Sequence, residues 1–391
     1  MREEELFINN IPTGPLGLIP IAGCEEMGRR VDSYLVKWRK ERQKINTASD
    51  IFSEYEDSSF MISSRLPRFG SGEGKGEIER SVRGEDIYII ADVCNYSLTY
   101  TMNGREKHMS PDDHFQNVKR IIAAVGGRAR RVTVIMPYLY ESRQTSRNGR
   151  ESLDCALALQ ELVSMGVDHI ITFDAHDPRV SNAIPLSGFE TIRPTYQFIK
   201  ALLATEDGLK IDSDHMMIIS PDEGGMSRAI YYANVMGLDV GMFYKRRDFT
   251  RYENGQHPVV AHEFLGSYVA GKDVIIVDDM ISSGHTMLET ARELKHRNAR
   301  KVFAFSTFGL FTGGLDMMDE CYEKGLIDKV FTTNLIYQPP QLLARPYYVS
   351  VDMSKYIATI IDYMNHDVSL SGLLNPTDKI NKVLKKYRSE A

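Results

Sequence analysis

Short apolar runs that alternate with amphipathic segments limit this chain to very few folds. The runs are rich in Val and Ile and mostly lack polar alternation, as strands covered on both faces do. They lie at residues 86–93, 131–138, 169–175, 215–221, 273–279 and 301–307, with helix-like segments at 153–165, 225–236 and 286–296. This β-α-β-α order predicts an α/β fold with mainly parallel sheets flanked by helices.

Composition excludes several classes of protein. With 391 residues, 42% of them hydrophobic, the chain can build more than one compact unit. A formal net charge of −6 gives no general electrostatic attraction for nucleic acid. The four cysteines form no CxxC pair, residues 1–10 lack the apolar core of a secretory signal, and no apolar run is long enough to cross a bilayer. We therefore expect a cytoplasmic protein with neither a nucleic-acid nor a membrane partner.

The stretch VIIVDDMISSGHTM at residues 274–287 carries the most chemistry. Asp278 and Asp279 close an apolar run, and adjacent strand residues point to opposite faces, so they can share a ligand only where the strand ends. Gly284 permits unusual backbone angles, and the following helix start supplies amides that bind anions. Ser283 and Thr286 add hydroxyl groups. These carboxylates, amides and hydroxyl groups together suit a sugar monophosphate. An ordinary strand-turn-helix with a Ser or Thr cap would have similar residues.

The combination of apolar strand, paired aspartates and SxGxT turn resembles the phosphoribosyl-binding signature of the type I phosphoribosyltransferase fold. The resemblance implies two phosphoribosyltransferase-like domains. It also implies that Asp278 and Asp279 hold ribose hydroxyls, and that the phosphate is held by Ser282, Ser283, Gly284, His285 and Thr286.

Five further stretches resemble the ribose-phosphate pyrophosphokinase family, which makes phosphoribosyl pyrophosphate. Residues 68–90, RFGSGEGKGEIERSVRGEDIYII, are similar to the segment that holds the adenine of ATP from a neighbouring subunit. Phe69, Gly72 and Glu73 match that segment, while Ser71 stands where the family has Asp. Residues 138–152 resemble a second ATP-binding loop, in which Arg143 and Gln144 match and Thr145 replaces Asp.

The other three stretches concern magnesium and the transferred group. FDAHDP at residues 173–178 and SPDEGG at 220–225 resemble the family's metal-binding positions, which implies that His176 and Asp222 bind Mg²⁺ together with ATP. FYKRRDFTR at 243–251 resembles a mobile cationic loop that closes over the reactants. There Lys245 and Arg247 match residues that stabilise the diphosphoryl group. Each of these stretches could otherwise be a solvated loop or a structural histidine.

The resemblance extends over residues 18–376, with departures at 39–59, 100–113 and 249–258 and at Ser282 and His285. It divides the chain into an N-terminal ATP-side domain at 1–188, a C-terminal ribose-phosphate domain at 189–374 and a basic tail at 375–391. The family also implies a homo-oligomer, either a dimer or a hexamer.

The resulting prediction is a ribose-phosphate diphosphokinase that converts ATP and ribose 5-phosphate to AMP and phosphoribosyl pyrophosphate. One alternative keeps the fold but changes the reaction, either to a larger acceptor such as ADP-ribose or to phosphoribosyl transfer. Another is a catalytically silent, synthetase-like regulatory subunit. The DAHD and Lys-Arg-Arg stretches disfavour a transferase, and His176, Asp222, Lys245 and Arg247 argue against a silent subunit.

Overall fold

The computed structural model describes residues 11–45, 58–147, 149–247 and 259–390. These residues form two compact units. The first takes the described residues up to Arg193 together with Leu335–Tyr337 and Asp352–Asn375. The second takes Pro194–Asn334, Gln338–Val351 and the described residues from Pro376 onward. The units are drawn differently from the predicted domains, whose bounds at 188 and 374 stay a prediction.

The described elements follow one another in a largely alternating order. In chain order the strands are β1 Leu16–Pro20, β2 Ser64–Arg65, β3 Glu77–Ile78, β4 Asp86–Ile90, β5 Thr99–Met102, β6 Arg105–His108, β7 Arg131–Ile135, β8 His169–Phe173, β9 Gly188–Ile192, β10 Met216–Ser220, β11 Asp239–Arg247, β12 Val259–Leu265, β13 Asp273–Ile281, β14 Val302–Gly309, β15 Lys329–Thr333 and β16 Tyr348–Val351. The helices are α1 Glu25–Ile45, α2 Pro111–Val125, α3 Asp154–Ser164, α4 Thr195–Thr205, α5 Met226–Met236, α6 His285–His296, α7 Asp316–Glu323, α8 Pro340–Leu343, α9 Ser354–Asn365, α10 Ser371–Leu374 and α11 Thr377–Glu390.

Each unit is built on one main sheet. The first has the order β1-β4-β7-β8-β9, and every pair in it is parallel. The second has the order β12-β11-β10-β13-β14-β15-β16, and only its β11–β12 pair is antiparallel. Every residue of β4, β10 and β14 is buried, as the unalternating apolar runs predict. The predicted class, an α/β protein with mainly parallel sheets flanked by helices, is confirmed.

The first departure from the family pattern, at residues 39–59, begins within a helix. Residues 39–45 continue α1, whereas residues 46–57 lie outside the described part of the chain. Arg39 and Arg42 are each 1% exposed. Arg42 forms an ion pair with Asp362 of α9, and Arg39 Nη2 donates to Asn365 Oδ1 at 2.6 Å. This end of α1 is therefore packed into the first unit. The two buried arginines are tolerated there because they have polar partners.

Regular structure also occurs in the departure at residues 100–113 and at the start of the stretch at residues 243–251. Residues 99–108 form the β5–β6 hairpin, and α2 begins at Pro111 behind a capping box on Ser110. Residues 243–247 were predicted to begin a loop, which is wrong, since they lie in β11 paired with β12. Residues 248–258 lie outside the described residues. No described helix is long and apolar enough to cross a membrane.

Candidate active site

In the second unit, the predicted ribose-phosphate residues meet at one edge of the sheet. Neighbouring strands β10 and β13 are parallel, so their carboxyl ends lie together. Asp222 follows β10, while Asp278 and Asp279 lie near the end of β13. The turn at residues 282–286 leaves the same end and enters α6. The sequence therefore placed these groups on the correct side of the sheet.

The strand continues further than the aspartate pair suggested. β13 runs on to Ile281, and Met280 and Ile281 still pair with β14. Asp279 is only 4% exposed, whereas Asp278 is partly exposed and its Oδ1 accepts a hydrogen bond from the amide of Asp279 at 2.9 Å. The expectation that the strand ends at this pair is thus wrong by two residues, because the β14 ladder extends it.

The surroundings of Asp278 change the pKa of its carboxyl group. Although Asp278 keeps some solvent exposure, protein surrounds its carboxyl group, and this burial, followed by the neighbouring charge of Asp279, holds the pKa of Asp278 well above its usual range. The charge of Asp222 acts in the same direction, and the guanidinium of Arg228 opposes both. Arg228 lies in the first turn of α5 and is 8% exposed. Sequence reasoning missed this residue, although its position soon after SPDEGG is a usable signal.

Asp222 is held in place by its own turn. Its Oδ1 accepts a hydrogen bond from the Gly225 amide at 3.0 Å, and its backbone carbonyl accepts one from Ser220 Oγ at 2.7 Å. A Cβ at Gly225 would lie 2.9 Å from that Oγ, so glycine lets α5 begin this close to the strand end. These contacts fix one carboxylate oxygen of Asp222 and leave Oδ2 available to a cation or to solvent.

The turn at residues 282–286 has the features of an anion site. Gly284 has φ 91° and ψ −9°, the left-handed region, and α6 starts immediately after it without a side-chain cap. Within the described chain, the amides of Ser283, Gly284 and Thr286 find no hydrogen-bond acceptor. Several unpaired amides at a helix N-terminus attract a phosphate.

His285 contributes differently from the other residues of this turn. Its Nε2 lies 3.0 Å from Glu289 Oε1, one helical turn along α6, and the side chain is 61% exposed. The imidazole therefore lies along the helix surface. What His285 offers to the turn is its backbone amide, which makes only a long 3.5 Å contact with Ser283 Oγ.

Lys245 and Arg247 are among the last three residues of β11. Their backbones pair with His262 and Val259 of β12. The side chains of residues 245–247 lie outside the described part of the chain, so their predicted role stays a prediction.

In the first unit, the predicted adenine-binding residues lie in a tight loop at residues 68–74. Phe69 donates its amide to Glu73 O at 2.7 Å, and Gly72, with φ 96°, donates to Phe69 O at 2.8 Å. Ser71 Oγ donates to Glu73 Oε2 at 2.8 Å. Phe69 is 56% exposed, and Ser71 and Glu73 are exposed as well. The three side chains predicted to contact adenine are thus all exposed.

The other ATP-side residues follow β7 and β8. Gln144 is partly exposed and bonds the carbonyls of Ser146 and Ser152 at 3.3 and 2.8 Å, which closes the predicted loop on itself. Arg143 is exposed beside it.

His176 is exposed just after β8, while its neighbour Asp177 caps the following turn and forms a 2.7 Å ion pair with Arg179. That ion pair lowers the pKa of Asp177.

The described residues contain no group of three or more His, Cys, Asp or Glu side chains that could hold a metal ion. His176 belongs to the first unit and Asp222 to the second. A carboxylate suits Mg²⁺, which usually keeps waters and substrate phosphates among its ligands. The Asp222 carboxylate of the second unit therefore fits a magnesium ion that arrives with a nucleotide.

Comparisons with known proteins find similarity to ribose-phosphate pyrophosphokinases along most of the chain. Residues 30–166 match the sequence model of the N-terminal domain of ribose phosphate pyrophosphokinase. Residues 189–309 match the phosphoribosyl transferase domain, and residues 253–375 match the phosphoribosyl synthetase-associated domain. The first match contains the loop at residues 68–74, and the other two contain the turn at residues 282–286.

Individual relatives cover the same region. The chain is 28% identical to a ribose-phosphate pyrophosphokinase of Vibrio parahaemolyticus over 313 residues, 79% of this chain and 90% of the relative. It is also 28% identical to the enzyme of that name from Buchnera aphidicola over 309 residues, 78% of this chain and 89% of the relative. A solved phosphoribosylpyrophosphate synthetase from Mycobacterium smegmatis shares the fold, with a TM-score of 0.67 at 20% identity over 90% of this chain and 99% of that one. The chain belongs to the ribose-phosphate pyrophosphokinase family.

Proposed function

We propose that this chain is a ribose-phosphate diphosphokinase, which makes phosphoribosyl pyrophosphate and AMP from ATP and ribose 5-phosphate. The observation that carries the proposal is the edge of the second sheet. There the unpaired amides of the turn at residues 282–286 stand beside Asp278 and Asp279 on one strand end. Such an edge offers donors to a sugar phosphate and acceptors to vicinal hydroxyls.

The reaction needs an oxygen nucleophile and a phosphorus centre in line. The 1-hydroxyl oxygen of ribose 5-phosphate bonds to the β-phosphorus of ATP. The bond from that phosphorus to the oxygen bridging the α-phosphate breaks, AMP leaves with the bridging oxygen, and the hydroxyl proton passes to solvent. Catalysis of this kind rests on positioning and charge stabilisation, and it requires no covalent enzyme intermediate.

The second unit supplies the positioning of the ribose phosphate. Amides of Ser283, Gly284 and Thr286 hold the 5-phosphate, and the carboxyl groups of Asp278 and Asp279 hold ribose hydroxyls. Lys245 and Arg247 are proposed to stabilise charge that develops on the transferred diphosphoryl group.

The first unit supplies the nucleotide site. We propose that Phe69 stacks on the adenine, that Ser71 and Glu73 bond its edge, and that Arg143 and Gln144 contact the rest of ATP. Asp222 and His176 would hold Mg²⁺, which neutralises phosphate charge when it is bound. Phe69 is exposed on its loop, which fits an adenine shared with a second copy of the chain, in a dimer or hexamer.

The four cysteines are free thiols, which fits a cytoplasmic enzyme.

The test is to incubate the purified protein with magnesium, ATP and a panel of ribose phosphates, and to identify products by mass spectrometry. We expect AMP and phosphoribosyl pyrophosphate from ribose 5-phosphate. Asp279→Asn should abolish most of this activity, whereas the control Glu323→Gln, at the exposed end of α7, should retain it. Product from ADP-ribose alone, or no product from any acceptor, would refute the proposed reaction.

A further inference from the structure

We propose that the hairpin at residues 99–108 is a positioning element for the nucleotide site, because it sets the conformation of the loop at residues 68–74. The inference rests on the proposed function, which assigns Phe69, Ser71 and Glu73 of this loop to adenine. It adds a role for a hairpin whose residues the family pattern does not contain. The structure assigns this role through three separate contacts.

The first contact runs through Arg68. Its guanidinium carbon lies 4.5 Å from the ring centroid of Tyr100 in β5. Arg68 Nη1 donates to Gly72 O at 3.0 Å, and Nη2 lies 3.2 Å from Asp113 Oδ1 of α2. A cation–π contact with Tyr100 therefore orients the same guanidinium that holds the loop carbonyl.

The second contact is close packing under Gly72. A Cβ on this residue would lie 2.8 Å from Met102 Sδ and 3.0 Å from its Cγ. The loop backbone thus rests directly on the Met102 side chain, at a residue whose φ of 96° is rare for other amino acids. Displacing Met102 removes the surface that supports this conformation.

The third contact comes from the hairpin turn. Asn103 and Gly104 have φ 50° and 75°, as the two-residue turn of a type I′ hairpin requires. The amide of Asn103 donates to Gly70 O at 2.8 Å. The turn therefore reaches the tip of the loop with a backbone hydrogen bond.

The exposure of the residues in the hairpin and in the loop agrees with this positioning role. In β5, Tyr100 and Met102 are partly buried, while Thr99 and Thr101 are exposed, in the alternation of a strand. In the loop, Arg68 and Gly72 are partly buried, while Phe69, Ser71 and Glu73 are exposed. The hairpin thus supports the back of the loop and leaves the proposed adenine-binding face clear.

Two variants test the idea, each with a conservative partner. Tyr100→Ala and Met102→Ala remove the contacts, whereas Tyr100→Phe and Met102→Leu keep an aromatic ring and a long apolar side chain. Thr101→Ala, on the exposed face of the same strand, is the matched control. All five changes lie on a surface hairpin, and circular dichroism and the thermal midpoint will verify that each variant is folded.

The first readout is hydrogen exchange at residues 69–74 in the free protein, measured by mass spectrometry. Both alanine variants should exchange faster there by about tenfold or more, because the loop opens more often. The conservative variants and Thr101→Ala should match the parent. This result does not depend on catalysis, so unchanged exchange in the alanine variants would overturn the positioning role even in an active enzyme.

The second readout is ATP use. We expect KM for ATP, and the Kd for Mg-ATP by calorimetry, to rise by about 3- to 10-fold in the alanine variants, while KM for ribose 5-phosphate stays unchanged. Faster exchange without weaker ATP binding would refute the link to the nucleotide site. If the parent makes no phosphoribosyl pyrophosphate, the proposed function fails, and ATP binding with hydrogen exchange still decides the role of the hairpin.

Discussion

Replacing Gly284 by alanine tests the phosphate-binding turn most directly. Gly284 has φ 91°, a region that costs an L-residue about 1–2 kcal/mol. An added Cβ would lie 3.3 Å from Met318 Sδ, a flexible side chain that can yield by a few tenths of an ångström. The loss of unfolded-state freedom returns about 0.4–1 kcal/mol, so we expect a net loss of about 1 kcal/mol in stability.

The effect on substrate binding should be larger than the effect on stability. If residue 284 relaxes toward negative φ, at least one of the neighbouring amides turns away from the phosphate. A hydrogen bond to a charged group contributes about 1.5–3 kcal/mol. We therefore expect KM for ribose 5-phosphate to rise by about 10- to 100-fold, with KM for ATP little changed.

Gly271→Ala is the matched control for this prediction. Gly271 has φ 78° with no atom within 4 Å of an added Cβ, and it precedes β13 at the end of the strand away from the turn. It carries a similar backbone penalty without touching the proposed site. Initial-rate kinetics and urea denaturation on both variants separate the effects. Equal KM values for ribose 5-phosphate in the two variants would refute the role of the turn.

Other predictions address the remaining groups. Lys245→Ala should lower kcat by about 100- to 1000-fold with little change in KM for ribose 5-phosphate; near-normal turnover would remove it from the mechanism. Asp222→Asn retains an oxygen for the Gly225 amide but should raise the magnesium concentration needed for half-maximal rate, and an unchanged titration would place the metal elsewhere. Ser71→Asp should raise the ratio of kcat/KM for ATP over GTP by the value of about one hydrogen bond, near 1 kcal/mol, and an unchanged ratio would contradict the adenine contact. Burial raises the pKa of Asp92 from 3.8 to about 6, so its neutral form stabilises the fold at low pH and this stability is lost as pH rises through about 6. Urea denaturation should show the parent losing up to about 3 kcal/mol relative to Asp92→Asn between about pH 4 and pH 6, and parallel pH profiles would refute this.

Local sequence determined the sheet strands and the outline of the site. Apolar residues on both faces required covered strands, and the observed strands begin and end within two residues of most predicted ones. The polar groups after β10 and β13 had to meet, since parallel neighbours end at the same edge. Gly284 was identifiable as a turn residue before a helix, because only its lack of a Cβ makes φ 91° inexpensive.

Contacts between distant residues decided what the local pattern could not. Nothing in the local sequence indicates that Arg39 and Arg42 are buried. They are buried because Asp362 and Asn365 lie opposite them, more than 300 residues along the chain. Residues 243–247 form a strand because β12 returns antiparallel beside them, and β13 passes its aspartates because β14 continues the ladder. The hairpin at residues 99–108 supports the loop at residues 68–74 only once the chain between them has folded back. Periodicity encodes which face of an element is covered, whereas the identity of the partner depends on long-range packing that no short window contains.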